Sequence, residues 1–256
     1  MLDTLLHGKR GLVVGIANEH SIAAGCALAM RAAGAEVAVT YANARSKPFV
    51  APVVAKLDTP LFLPLDVEID GQMEAVFDAI RDTWGQLDFI VHSIAFCPKD
   101  DLHGPVSACS KAGFAQAMDI SVHSLIRMTH LAIPLMPNGG SILTMSYYGA
   151  EKVVDHYNIM GPVKSALEGT VRYLAAELGP KQIRVNAISP GPLHTRAGSG
   201  IDHFDDLIDA AQKRAPEQSL VTIEDVGHMA VGLVSDLSRK VTGNIAFVDG
   251  GFHVQA

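Results

Sequence analysis

Short apolar segments alternate along the chain with longer segments in which apolar residues recur every three or four positions. Most of the short segments are continuously apolar, which is typical of strands buried on both faces of a sheet. They predict seven strands, at residues 11–14, 36–41, 61–66, 88–93, 141–146, 184–188 and 244–248. The longer segments predict helices at residues 21–33, 70–84, 111–133, 161–178, 203–214 and 224–236, with a further helix at 47–57 interrupted by Pro48 and Pro52.

Strict alternation of strands and helices predicts an α/β protein whose parallel strands are joined by right-handed crossovers. No repeat, low-complexity segment or linker divides the sequence. We therefore predict a single domain over residues 1–256. Its fold class is a Rossmann-like doubly wound parallel sheet of about seven strands with helices on both faces.

Composition narrows the class of protein. The 256 residues are 48% apolar and 18% charged, and the net charge of −7 provides no basic surface for nucleic acid. Three cysteines lack metal-site spacing and are typical of a reducing cytoplasm. The sequence predicts neither a signal peptide nor a membrane span of ~18 apolar residues. Eleven histidines lack the H-E-x-x-H spacing, so we expect no metal.

Several residues at predicted strand ends are candidates to hold a nucleotide, because ligands of open parallel sheets bind beyond those ends. Gly15 closes the first strand. Ser21 is a candidate N-cap whose hydroxyl would accept an amide of the next helix, at a helix start that suits a pyrophosphate. The G-x-G-x-x-G fingerprint is not met. Asp66 ends the third strand, where it can accept from an adenine amine, and the small residues 93–95 end the fourth. A turn, a helix cap and a tight loop are the alternative interpretations.

The end of the second predicted strand leaves the choice between NADH and NADPH open. An acid usually holds the ribose 2′-hydroxyl of NAD at this place. Here the chain has Ala42 and Asn43, followed by Arg45 and Lys47. The two cations could bind a 2′-phosphate or could be solvated loop charges.

A cluster of two tyrosines and a lysine lies between a predicted strand and a predicted helix. Tyr157 and Lys164 are seven residues apart, and Tyr147 lies ten residues before Tyr157. Seven helical residues make two turns, so the phenol and the ammonium would share one face, roughly 10 Å apart along the axis. Pro162 places the helix start between Tyr157 and Gly161. Such a pair could protonate an oxygen while holding a sugar hydroxyl, although a core aromatic and a solvated lysine have the same spacing.

Motifs along nearly the whole chain resemble those of the short-chain dehydrogenase/reductase superfamily. Within it the chain is similar to the enoyl-acyl-carrier-protein reductases of bacterial type II fatty acid synthesis. The matching segments are GIANEHSIAAG, LDV at 65–67, HSIAF, MSYYGAEKVVDHYNIMGPVKSALE, RVNAISPGPLHTRAGSGI and VTGNIAFVDGGF. The seven-residue step from Tyr157 to Lys164 is the most specific feature, because general superfamily members have a four-residue step and a catalytic serine. Ser146 lies near that serine's place.

The resemblance implies a reduction of the C2=C3 double bond of a trans-2-enoyl thioester by NADH, with NADPH as the possible alternative. It implies catalytic roles for Tyr147, Tyr157 and Lys164. Implied cofactor contacts are Gly15, Ser21, Ile22, Asp66, Val67, Ser93, Ile94, Lys164, Leu193 and Thr195. Implied substrate contacts are Cys97, Tyr147, Tyr157 and Met160, beneath a substrate-covering helical segment at about 195–215.

The implied partners are an acyl carrier protein and three further copies of the chain in a homotetramer. Family members offer basic residues to the acidic carrier, but the matching positions here are Asp202, Asp205 and Asp206. Either the carrier docks elsewhere, for instance on Arg196, Lys213 and Arg214, or the donor is a coenzyme A thioester. The acids could also form an ordinary solvated face.

Two other functions remain open from the sequence. One is a carbonyl or hydroxyl oxidoreductase on the same fold, which the seven-residue step and Tyr147 disfavour. The other is a non-catalytic nucleotide-binding scaffold, which the retained Tyr157 and Lys164 disfavour.

Overall fold

A seven-stranded sheet forms the centre of the protein. In the computed structural model, residues 4–195 and 198–255 are described, without the side chain of Ser199. The strands are β1 (Arg10–Val14), β2 (Glu36–Tyr41), β3 (Phe62–Pro64), β4 (Phe89–His92), β5 (Gly140–Met145), β6 (Ile183–Pro190) and β7 (Ile245–Val248). All seven predicted strands are confirmed, with ends shifted by up to two residues.

Nine α-helices accompany these strands in the described part of the chain. They are α1 (Ile22–Ala32), α2 (Lys47–Leu57), α3 (Gln72–Trp84), α4 (Lys99–His103), α5 (Lys111–Met118), α6 (Ser124–Ala132), α7 (Met160–Leu178), α8 (Phe204–Arg214) and α9 (Ile223–Val234). No helix among the described residues is both long enough and apolar enough to cross a membrane.

The sheet is parallel throughout and has the strand order β3-β2-β1-β4-β5-β6-β7. After β3 the chain crosses back over β1 to begin β4, so the direction of winding reverses between β1 and β4. A crevice forms at the carboxyl ends of strands where the winding reverses, and this is where such sheets bind ligands.

Each face of the sheet is covered by its own apolar core. Strand residues Leu12, Ile90 and Ile142 belong to one cluster with side chains of α3, α6 and α7. Their neighbours Val13, Val91 and Leu143 belong to the other cluster, with side chains of α1, α2 and α9. Because successive side chains of a strand point to opposite faces, continuously apolar strands fill both cores.

The helix predicted at 47–57 is confirmed, the helix predicted at 111–133 is divided, and the short helix α4 was not predicted. The interrupted helix at 47–57 forms as one helix, because Pro48 lies in its first turn and exposed Pro52 removes a single interior bond. The predicted helix at 111–133 is divided instead by a π-helical turn at Asp119–His123. Ser121 in this turn accepts a hydrogen bond from the Phe96 amide at 3.1 Å, which ties the turn to the loop after β4.

Candidate active site

The first strand and the fourth approach each other closely at the reversal point. Gly15 has φ +103°, and a Cβ atom there would lie 2.0 Å from the Ser93 carbonyl oxygen. Only glycine fits this position, which leaves the backbone of the first turn open to a ligand. Ser21 occupies the N-cap position of α1, but its hydroxyl donates to the Asn18 carbonyl at 2.7 Å and accepts no helix amide. The expected side-chain cap is therefore wrong, and the first-turn amides remain available to an anion.

A cavity of about 630 Å³ opens beside this turn. Its walls include Gly15, Asp66, Val67 and Ile94 from the ends of β1, β3 and β4. The glycine cradle, the adjacent helix start and a volume suited to a small ligand together fit a dinucleotide. Ser93 lines the same edge through the carbonyl that faces Gly15.

The remaining expected cofactor residues lie around the cavity rather than in its walls. Ile22 packs beside the α1 core. Leu193 is buried in the same core, and Thr195 lines a second cavity together with Asn18 and His20. Leu193 and Thr195 follow β6, Ile22 begins α1, and Thr195 shares its cavity with the loop before α1, which is where a pyrophosphate would lie.

The loop that follows β2 is held by its own hydrogen bonds and contains no acidic residue. Asn43 accepts hydrogen bonds from the Arg45 and Ser46 amides at 3.1 Å each. The Lys47 ammonium lies 5.1 Å from the centroid of the Tyr41 ring, so this cation is engaged in a cation–π contact. Arg45 lines the cavity, so it is the cation of this loop that faces a bound nucleotide.

Tyr147 and Tyr157 form an edge-to-face pair, with ring centroids 4.8 Å apart. Tyr157 is 7% exposed. Burial raises the pKa of Tyr157 well above its usual range and that of Tyr147 to about 12. Both phenols are therefore neutral donors at neutral pH. Among residues 4–195 and 198–255, neither hydroxyl has a hydrogen-bond partner, which leaves both available to a substrate oxygen.

The backbone around Tyr157 is irregular. His156 and Asn158 have φ values of +63° and +45°, in the left-handed region that non-glycine residues seldom adopt. The Asn158 side-chain amide donates to the Leu102 carbonyl at 2.8 Å, which ties this turn to α4. Strained backbone of this kind is concentrated at functional sites. The first residue of α7 is Met160, which lies within the range of helix starts that Pro162 predicted. Tyr157 therefore precedes the helix.

Lys164 is the fifth residue of α7, in its second turn, and is 6% exposed. Its ammonium donates to the Met145 carbonyl at the end of β5, at 2.7 Å. Burial lowers the pKa of Lys164 to about 8, against a smaller opposing effect of Glu168. The interpretation as a solvated lysine is thus excluded by its burial.

Glu168 is a buried acid that sequence reasoning missed. It is 3% exposed and accepts the Ser146 hydroxyl proton at 2.6 Å. Burial raises the pKa of Glu168 above its ordinary value. The only signal in the sequence is its place four residues after Lys164, one turn along the same helix face.

His92 is a second buried polar residue that the sequence did not single out. Its Nε2 lies 2.8 Å from the Ser124 hydroxyl, which itself donates to the Ile120 carbonyl at 2.6 Å. Because the Ser124 hydroxyl proton is donated to Ile120, the Ser124 oxygen accepts from His92, and Nε2 carries the ring proton. Nδ1 then accepts from the Thr144 hydroxyl at 2.9 Å. Burial, with a smaller contribution from Lys164, lowers the pKa of His92 to about 3, so the imidazole is neutral.

The expected substrate-side residues share one apolar region. Tyr157 and Met160 are buried in the core on the α7 face of the sheet, while Cys97 and Tyr147 pack against its edge. Burial raises the pKa of Cys97 to about 11, so its thiol is neutral and contributes apolar surface.

The segment before α8 contacts α4 through an exposed set of polar groups. His103 approaches the Gly200 carbonyl at 2.9 Å and the Asp202 carboxylate at 3.3 Å. The His156 and His203 rings stack at 4.5 Å, which places the start of α8 over the turn before Tyr157. Asp205 and Asp206 lie in the first turn of α8. Arg196 lies outside the described residues.

Comparisons with known proteins agree with this geometry. The family model described as Enoyl-(Acyl carrier protein) reductase matches residues 15–253. Enoyl-(acyl-carrier-protein) reductase (NADH) 1 of Rhizobium meliloti (strain 1021) is 47% identical, covering 97% of this chain and 92% of the relative.

Two solved structures have nearly the same backbone. An enoyl reductase from Anaplasma phagocytophilum in complex with NAD has a TM-score of 0.94 at 46% identity, covering 98% of this chain and 96% of that one. An enoyl reductase from Bacillus cereus with NADP+ and indole naphthyridinone has a TM-score of 0.96 at 42% identity, covering 99% of each chain. The chain therefore belongs to the enoyl-(acyl-carrier-protein) reductase family.

Proposed function

We propose that the protein reduces the C2=C3 double bond of a trans-2-enoyl thioester on acyl carrier protein, using NADH, in fatty acid elongation. The observation that carries this proposal is the edge-to-face pair of neutral phenols of Tyr147 and Tyr157, which have no hydrogen-bond partner in the described chain. Family membership supports the reaction class, and the cavity at the carboxyl ends of β1, β3 and β4 supports the cofactor.

The chemical task of these residues is to stabilise an oxygen. NADH, when bound, supplies the hydride that reaches the β carbon of the substrate. Negative charge then develops on the thioester oxygen, as an enolate, and uptake of a proton at the α carbon completes the reduction. Tyr157 donates a hydrogen bond to that oxygen, and its raised pKa keeps the proton on the phenol until charge has formed. Tyr147 is the second substrate-side donor.

Lys164 has a different role, because its buried ammonium is held by the Met145 carbonyl at the end of β5. We assign it to the nicotinamide ribose hydroxyls, where it fixes the cofactor and adds positive charge near the developing enolate. Gly15 and the start of α1 hold the pyrophosphate, and Asp66 and Val67 hold adenine. Arg45 is the residue through which a 2′-phosphate would be tolerated, so some activity with NADPH is expected.

A pair of variants tests these assignments. Tyr157→Phe should reduce kcat roughly 100- to 1000-fold, the cost of one oxyanion donor, while the NADH dissociation constant changes little. Lys164→Ala should damage both turnover and NADH affinity. Equal losses of NADH affinity in the two variants, measured by fluorescence titration, would contradict the separation of roles.

Carbonyl reduction on the same fold is the competing function. It uses a catalytic serine near the end of the strand before the tyrosine, and here Ser146 donates to buried Glu168 instead. The test compares crotonyl-coenzyme A with a β-ketoacyl thioester while NADH absorbance is followed. Faster turnover of the β-ketoacyl substrate would favour the competing function, and cofactor binding without turnover of either would indicate a scaffold.

The carrier protein needs a surface that does not repel it. The first turn of α8 is acidic, and like charge weakens encounter with an acidic partner. A cavity of about 670 Å³ lies on the other side of α8, next to Tyr147, and its charged lining residues are Lys152, Arg214 and Asp155. We assign carrier docking to this side, with the acyl chain entering past Tyr147.

Charge reversal tests the docking side. Lys152→Glu should raise KM for a carrier-bound enoyl substrate several-fold, an effect that salt diminishes, and leave KM for crotonyl-coenzyme A unchanged. Asp205→Lys is the matched control on the acidic side and should lower KM only modestly. A larger effect at Asp205 than at Lys152 would place docking on the acidic side.

We also propose a cytoplasmic homotetramer. Exposed large apolar side chains on consecutive helices support association, namely Phe114 on α5, Ile126 on α6 and Tyr173 on α7. Sedimentation equilibrium of the wild type and of a Tyr173→Glu variant is the test. A wild-type mass of about one chain would contradict the assembly.

A further inference from the structure

Two hydrogen bonds join the end of β5 to α7, and both involve charged side chains buried in the protein. Lys164 donates to the carbonyl of Met145 at 2.7 Å. Glu168, one turn further along α7, accepts from the hydroxyl of the next residue, Ser146, at 2.6 Å. Met145 at the end of β5 and Ser146 just after it are thus bound by side chains four residues apart on α7, with Lys164 as donor and Glu168 as acceptor.

We propose that Glu168 is a positioning residue for Lys164, fixing its place and its charge at the cofactor ribose through the bond to Ser146. This inference rests on the role of Lys164 proposed above. Glu168 is not among the residues that line the cavity beside Gly15, and its hydrogen bond goes to Ser146, so it acts through Lys164 and the strand end that holds it.

The physical reason is the cost of a buried ammonium. Removing a charge from water is expensive unless a nearby opposite charge compensates it. Lys164 has the Glu168 carboxylate on its own helix and the neutral His92 imidazole from β4. Glu168 in turn is near Glu151 from the loop after β5 and Arg172 on α7. A short hydrogen bond from Ser146 stabilises the ionised form of Glu168 and keeps that compensation in place.

The arrangement also explains why Ser146 does not act on the substrate. Its hydroxyl proton is donated to Glu168. In this chain the serine that follows β5 therefore helps to position the lysine and does not donate to the reacting oxygen.

Two variants separate charge from hydrogen bonding. Glu168→Gln keeps an oxygen that can accept from Ser146 but removes the negative charge. Ser146→Ala keeps the acid but removes its donor. Glu177→Gln, at an exposed position of the same helix, is the matched control. NADH affinity is measured by fluorescence titration, thermal stability in parallel, and kcat/KM for crotonyl-coenzyme A as a function of pH.

We expect both variants to weaken NADH binding about tenfold. The basic limb of kcat/KM should move to lower pH in Glu168→Gln, because Lys164 loses the carboxylate that favours its charged form. Glu177→Gln should match the wild type in each measurement.

Wild-type NADH affinity together with an unmoved basic limb in Glu168→Gln would overturn the inference and leave Glu168 a packing residue. If Glu168→Gln does not fold, the NADH affinity of Ser146→Ala decides, and a wild-type value there would overturn the inference. Lys164→Ala separates this inference from the proposed function. Wild-type NADH affinity in Lys164→Ala removes the role of the lysine itself, whereas a loss there without a loss in Glu168→Gln removes only the positioning role.

Discussion

The β5–α7 side of the site and the α8 side differ in how they hold polar groups. On the β5–α7 side, Lys164, Glu168 and Ser146 are buried, and each has a partner at 2.6–2.7 Å. On the α8 side, Asp202 and Asp206 approach histidines at 3.3–3.4 Å and are at least half exposed. Buried polar bonds fix one geometry, because breaking one leaves an unsatisfied group. Exposed pairs contribute little and can separate, which suits a segment that admits substrate.

Filling the cofactor cradle should have the largest effect, because the backbone of Ser93 leaves no space for a side chain at Gly15. Gly15→Ala forces a non-glycine residue to φ +103° and places its Cβ 2.0 Å from the Ser93 carbonyl oxygen. We expect NADH affinity to fall at least 100-fold, or the protein not to fold. Gly169→Ala on α7 has open space around its Cβ and should bind NADH normally, with stability higher by up to about 1 kcal/mol. Normal NADH binding by Gly15→Ala would show that the cradle is not used.

The charge of buried Lys164 should make cofactor binding sensitive to alkaline pH. Since burial lowers its pKa to about 8, the ammonium is present below that pH and is lost as pH rises through it. We expect NADH affinity to be constant from pH 6 to about 7.5 and to fall by up to about tenfold per unit well above pH 8. Titration in Lys164→Ala is the control, and should show low affinity without this dependence. A flat wild-type profile up to pH 10 would contradict the assignment.

Removal of the second phenol should have an intermediate effect. Tyr147→Phe keeps the aromatic contact with Tyr157 but loses one neutral donor, and we expect kcat to fall about tenfold. NADH affinity should remain unchanged. A loss larger than that of Tyr157→Phe would reverse the order of the two tyrosines in the mechanism.

Loosening the exposed side should have the smallest effect. His103→Ala removes the contacts to Gly200 and Asp202, and we expect KM for crotonyl-coenzyme A to change less than about fivefold, with kcat and NADH affinity unchanged. Asp209→Asn, which loses only its pair with Lys213 on α8, is the control. A large loss of kcat in His103→Ala would show that this contact belongs to the catalytic geometry.

Much of the site followed from motifs whose meaning is local. Gly15 after β1, Asp66 after β3 and residues 93–95 after β4 reach one sheet edge because parallel strands end together. The spacing of Tyr157 and Lys164 identified the family, although Tyr157 lies before the helix rather than on it. The Ser21 hydroxyl bond was mispredicted, because the loop carbonyl of Asn18 competes with the helix amides for it.

The sequence by itself determined the order of strands and helices, the two-faced burial of the sheet and the family. Periodicity and short motifs indicate these properties, because each depends on residues that are close together in the sequence. Only the tertiary structure decided which polar side chains meet, as Ser146 with Glu168 and His92 with Ser124 do across 22 and 32 residues. The π-helical turn at Asp119–His123 and the burial of Lys164 were decided in the same way. The physical reason is that a hydrogen-bond partner and the desolvation of a charge depend on what packs against the residue in space, and no local pattern records that.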